Sequence, residues 1–206
     1  MAEPRYAVIM NPKPTLVCAL LLWATVHPAS AELTHTERQR LVAHMQMTAS
    51  WLIDEVSALS PAQLEFHPAP GAWSILDVVD HLVVVGPIYW ADLQKALKDP
   101  PTDRRLSARD ADILWYGIDR THRETAIASE NPKGQLRDLQ AGLAAYRKQH
   151  AQLLQYVTTT KDDLRSHIVQ RQGSDAYQWA LLISTHEQRH ILQIREIKAD
   201  SKFPTR

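Results

Sequence analysis

The stretch DAYQWALLISTHEQRHILQIREIK (175–198) decides the fold of this chain. Trp179, Ile183, His186, His190, Gln193 and Ile197 follow one another at alternating steps of four and three, the repeat of a helix face turned into a bundle core. The same seam carries two histidines one turn apart, inside HEQRH (186–190), which spells H-E-x-x-H. Two imidazoles on one apolar face each need a polar partner, and together they can share a metal ion.

Working back towards the N-terminus, the remaining helices follow the same periodicity. A third helix beginning near Gly134 keeps a heptad through Leu136, Leu139, Leu143, Tyr146, His150, Leu153 and Val157, and residues 161–174 form a loop before the fourth. A second helix starts at Ser74, an N-cap with Asp77 three residues on, and runs towards Leu97, where Asp99-Pro100-Pro101 stops it. It is apolar around most of its circumference and should be the most buried of the four. A first helix, from about Thr36 to Leu59, buries Leu41, Met45, Thr48, Leu52, Val56 and Leu59 and ends at Ser60-Pro61. Residues 99–133 make the longest connection, with a short helix around Ala111–Arg120, and a connection of that length lets the second and third helices run parallel. The expected fold is all-α, a four-helix bundle with a long crossover between helices 2 and 3.

The chain has 206 residues, with 23 Lys+Arg against 23 Asp+Glu, 45% apolar residues and 6 Gly. One ordered helical domain suits that composition, and no basic excess points to nucleic acid. Lys13, the apolar run Leu16–Val26 and Ala29-Ser30-Ala31 read as a secretory signal cleaved after Ala31, with residues 1–9 an upstream extension and Met10 a start. The domain is therefore expected at 32–206, exported to the periplasm, without stable membrane insertion because the run is too short to span. Cys18 is the single cysteine, so the processed chain would have neither a disulfide nor a thiol nucleophile.

The H-E-x-x-H spelling raises a zinc protease, whose third ligand follows the motif. Six residues after His190 stands Glu196, and the tail beyond Lys198 is too short to return another ligand helix. A di-iron carboxylate bundle needs a second E-x-x-H and two further inward glutamates, which are absent from the pattern. Upstream, His81 shares a helix face with Val78, Val85 and Ile88. With His186 and His190 it supplies three neutral nitrogens and leaves positions open for water or substrate, the pattern of a catalytic metal site. Glu187, about 100° around the helix from His186, is the candidate catalytic base or the group that orients a ligand histidine. His150 is read as a satisfied core histidine, His44, with no partner evident, as a surface or packing residue, Ser74 as a cap, and Trp73, Trp179, Tyr146 and Tyr177 as core or pocket aromatics. A metal-dependent enzyme stands first among the readings and a non-catalytic metal-binding or partner-binding bundle second. The accessibility of the three nitrogens separates the two.

Two stretches together carry a family resemblance. LSPAQLEFHPAPGAWSILDVVDHL (59–82), with Pro-x-Pro-Gly-x-Trp-Ser and a histidine seven residues after the serine, and the His-x-x-x-His-x-x-Gln-Ile of 186–194, resemble the DinB family over about residues 36–199. The resemblance implies a four-helix bundle and a divalent metal, Zn2+ or Ni2+, on His81, His186 and His190. It implies thiol-dependent transferase or metal-dependent hydrolase chemistry on an unknown small molecule, no DNA binding despite the family name, and a homodimer as one expected assembly. A secretory signal departs from the cytoplasmic thiol-dependent relatives and puts a thiol co-substrate in doubt.

Overall fold

A computed structural model of the chain describes residues 32–102, 109–136 and 138–205. The expected export segment, Cys18 and the processing site after Ala31 lie outside the described residues. Helices α1 (His35–Val56), α2 (Pro61–Leu64), α3 (Ile75–Ala96), α4 (Asp110–Ile118), α5 (Leu139–Thr159) and α6 (Ala176–Lys198) carry the architecture, with a two-stranded ribbon of β1 (Ile168–Val169) and β2 (Ser174–Asp175) before α6.

The long helices α1, α3, α5 and α6 form the bundle. Contacts Val83–Gln149 and Trp90–Tyr156 advance together along α3 and α5, so these two helices run parallel, as the crossover predicts. Thr48–Ser184 and Glu55–Lys198 show the same for α1 and α6. Arg38–Val157 with Met45–His150, and Tyr89–Trp179 with His81–His190, set the two pairs antiparallel to one another.

The apolar core falls into two clusters. One gathers Leu41, Met45, Tyr89, Leu93, Val157 and Trp179, the other Leu52, Ile75, Val79, Leu143, Ile191 and Ile194. Between them lies a polar belt made of Thr48 on α1, His81 on α3 and Ser184 to His190 on α6, all buried except the half-buried Gln188. Burying so many polar groups is tolerable only where they partner one another or a ligand.

Helix ends follow local chemistry. Ser74 and Asp77 close a capping box at α3, and Asp175 with Gln178 closes one at α6. The first helix stops at Val56, short of Leu59, because Ser57 Oγ turns back onto the Ile53 carbonyl at 2.6 Å. Ser60-Pro61 then starts α2, with Ser60 capping Gln63 and Pro61 at its first position, where a missing N–H is harmless. The third helix begins at Leu139 and not at Gly134. Gly134 adopts φ 62°, a left-handed turn conformation, and donates its N–H to the buried Asp80 carboxylate at 2.7 Å. Pro87 interrupts the hydrogen-bond ladder of α3 without ending the helix. The Val83 carbonyl that loses its N–H partner accepts from Gln149 Nε2 at 3.0 Å instead.

Arg165 gathers the ends of three helices. Its guanidinium contacts Glu37 (2.8 Å), Asp110 (2.7 Å) and the α6 cap Asp175 (3.1 Å) while lying 3.8 Å from the centre of the Tyr177 ring. The crossover helix α4 packs closely on α6 through Gly117. A Cβ there would meet the Thr185 carbonyl at 3.0 Å and its Cβ at 2.9 Å. Gly117→Ala is therefore expected to cost about 1–3 kcal/mol by overpacking. Thermal unfolding should show a fall of several degrees, and an unchanged midpoint would contradict this contact.

Candidate metal centre

His81, His186 and His190 come together in the polar belt, all three buried, with one ligand nitrogen from each within 4.8 Å of the others. His81 Nε2 lies 3.3 Å from His186 Nε2, and His190 Nε2 lies 3.1 Å from the same atom. Zinc–imidazole bonds of about 2.0–2.1 Å at tetrahedral angles would place ligand nitrogens roughly 3.3 Å apart.

The hydrogen bonds behind the rings fix which nitrogens carry lone pairs. His81 Nδ1 faces the Glu130 carbonyl at 2.6 Å, an atom that only accepts, so Nδ1 bears the proton and Nε2 the lone pair. His190 Nδ1 donates in the same way to Gln193 Oε1 at 2.8 Å. Burial lowers all three pKa values, His186 to about 3 and His190 well below the usual 6.5, so the rings are neutral. Three neutral nitrogens converge, two with lone pairs already assigned. That donor set fits a divalent cation, and the backing contacts are those that orient metal-bound imidazoles.

These shifts have a consequence for the metal-free protein. From pH 6.5 downward the unfolded chain takes up protons at these histidines that the folded chain refuses, so stability falls as pH drops. His44 and His150 are lowered by burial as well and add to the trend. Burial pushes Glu187 up to about 7 and raises Asp175 as well, which works the other way, but these are two groups against five. The urea midpoint of metal-free protein should therefore drop between pH 6.5 and 5. A flat or rising profile would contradict the buried neutral triad.

The triad opens onto a cavity of about 1180 Å3 lined among others by Trp73, Tyr89, Tyr116, Arg171 and Arg189. Trp73 covers the site, its ring 4.9 Å from His81 and stacked at 6.1 Å on His190. Arg171, from the β1–β2 turn, pairs with Glu130 and with Asp92 at 3.2 Å, and so holds in place the residue whose carbonyl orients His81. Arg189 is buried and donates to the carbonyls of Tyr116, Asp119 and His122, pinning the segment after α4 over the cavity.

The other candidates take no part in the triad. Glu187 turns away from the open side. Its carboxyl accepts from Thr48 at 3.0 Å, faces the Tyr146 hydroxyl without reaching hydrogen-bond geometry, and does not line the large cavity. The 100° helical step that separates it from His186 carries it to the α1 and α5 side, so the expected base at the site edge stands behind the ligands. His150 donates to the Met45 carbonyl at 3.1 Å, a satisfied core histidine. His44, expected without a partner, bridges α1 to α6 through Ser184 (2.7 Å) and Gln188 (3.2 Å). Glu196, the position of a downstream protease ligand, is bonded by both oxygens to Arg120 at 3.0 and 2.8 Å.

A sequence profile of the DinB superfamily matches residues 35–194. The chain belongs to the DinB superfamily. This DinB protein is 26% identical over 151 residues to the uncharacterized protein YuaE of Bacillus subtilis, covering 70% of the chain and 89% of YuaE. Its fold is similar to that of YfiT from Bacillus subtilis, with a TM-score of 0.55, 16% identity, and coverage of 81% of this chain and 88% of YfiT. YfiT is described as "a probable metal-dependent hydrolase with an unusual four-helix bundle topology". The histidine cluster thus sits in a bundle of that topology.

Proposed function

We propose that this protein is a divalent-metal-dependent enzyme, a hydrolase or a transferase of a small molecule, with Zn2+ or Ni2+ held by His81, His186 and His190. The observation that carries the reading is that the three Nε2 atoms meet at the wall of a cavity of about 1180 Å3. A structural metal site is closed by its ligands, whereas one with three protein ligands beside a cavity keeps a position for substrate. The description of YfiT as a probable metal-dependent hydrolase supports the same class.

When bound, a divalent ion on three imidazoles lowers the pKa of a coordinated water to about 7 and polarises a substrate oxygen. The chain's own groups do the rest. Glu130 and Gln193 keep His81 and His190 in the tautomer that presents Nε2. Trp73 shields the site and offers a flat apolar surface to a substrate. Tyr89, whose hydroxyl burial pushes far up, stays a neutral donor beside His186. Export remains part of the proposal, on the strength of the sequence between Lys13 and Ala31.

The test is turnover by metal-loaded protein of p-nitrophenyl acetate for hydrolysis, and of chlorodinitrobenzene with a small thiol for transfer. Chelator-sensitive turnover of one of them, lost in His81→Ala, supports the reading. Full metal occupancy with no turnover of either would favour the second reading, a metal-binding bundle without catalysis.

A further inference from the structure

Behind His186 the bundle contains a second cavity, of about 140 Å3, between α3, α5 and α6. Tyr89 and His186 line both cavities and so stand between them. The walls are mostly apolar, from Leu82, Val85, Leu153 and Ile183, and the exposed Pro87 and Gln152 lie at its outer end. An apolar cavity of roughly 150 Å3 is large enough for a benzene-sized molecule.

Gln149 and His150 also line this cavity but are engaged with the Val83 and Met45 carbonyls, and Gln152 is exposed, so three other polar groups give it a chemical character. The Tyr146 hydroxyl is fully buried and faces the Glu187 carboxyl without closing a hydrogen bond to it. Leaving such a donor unmade costs about 1–3 kcal/mol, so the fold retains it at a loss unless something binds there. Glu187 brings a carboxyl oxygen to the same space. His186 Nδ1 has no hydrogen-bond partner among the described residues, whereas Nδ1 of His81 and of His190 is held. No Lys or Arg lines the cavity, so an anion would find no counter-charge there.

We propose that this cavity binds a small neutral molecule carrying one hydroxyl on an apolar, phenol-sized body. Its oxygen accepts a hydrogen bond from Tyr146 and its hydroxyl donates one to a Glu187 oxygen, while the apolar body fills the space between Val85, Leu153 and Ile183. Occupancy would bear on the rear of His186 without entering the larger cavity. Binding here does not require the metal reading, because His81 lines only the large cavity.

The experiment titrates phenol and toluene separately into the full chain, with binding read by ligand-observed NMR. Phenol should bind the wild type more tightly than toluene. Tyr146→Phe, which keeps the ring, should weaken phenol about tenfold, the worth of one hydrogen bond, and leave toluene unchanged. Ile183→Trp, with folding checked by circular dichroism, should block both, and His81→Ala should still bind phenol. Phenol binding that is absent in the wild type, or unaffected by both Tyr146→Phe and Ile183→Trp, overturns the proposal. Retention of phenol by a protein that fails to take up metal would remove only the proposed metal-dependent function.

Discussion

Alanine at His81, His186 or His190 is expected to weaken divalent-metal binding by more than 100-fold. Groups that merely orient a metal-bound histidine are worth about 10–100-fold in affinity, and removing a ligand itself must exceed that. Gln193→Leu, which leaves His190 Nδ1 without its acceptor at 2.8 Å, should fall inside that smaller range. His44→Ala and His150→Ala should retain one equivalent, since both rings are engaged elsewhere, with Ser184 and with the Met45 carbonyl. Competition against a chromophoric chelator measures all of these. Metal should also stabilise the fold, by about 2.7 kcal/mol at a hundredfold excess over Kd, because its ligands come from two helices. A His81→Ala protein that binds as tightly as wild type would remove α3 from the site.

Trp179→Ala should be the most damaging substitution outside the site, at about 3–5 kcal/mol. Trp179 is wholly buried at the centre of one core cluster, and its Nε1 donates to the Tyr89 carbonyl at 2.9 Å. Truncation leaves a cavity and an unmade hydrogen bond together. The ring also lies 5.1 Å from the Tyr89 ring, which in turn borders His186 at 5.5 Å, so loosening is transmitted towards the polar belt. At roughly 2–4 °C per kcal/mol for a domain of this size, the midpoint should drop by about 6–20 °C. Trp179→Phe should recover part of the loss. A change below about 1 kcal/mol for Trp179→Ala would show that the cluster is not packed as described.

Much of this was legible in the sequence because it depends on local periodicity. The seam through Trp179, His186, His190 and Ile197 predicts which face of α6 enters the core, and the capping residue Ser74 predicts where α3 starts. His81 could be paired with the α6 histidines because its own face is read by the same spacing, and the triad geometry follows. What escaped depends on chain segments that meet only after folding. The carbonyl that fixes the His81 tautomer comes from Glu130, in a loop without periodicity. Arg171, which holds Glu130, comes from the turn of a ribbon whose strands are two residues each, too short for alternation to register. Gln193 stood three residues after His190 in a stretch already recognised, and an i, i+3 contact was available there to be read. For Glu187, helical angle alone cannot say which neighbour the side chain meets. Thr48 of α1 decides that.

The central claim is that one divalent ion is held by three nitrogens from α3 and α6. Anomalous diffraction at the metal absorption edge, from crystals grown with one equivalent of Zn2+, tests it most directly. The account predicts a single strong peak about 2.0–2.1 Å from the Nε2 atoms of His81, His186 and His190. No peak between those atoms, or a peak on other ligands with the triad empty, would contradict it.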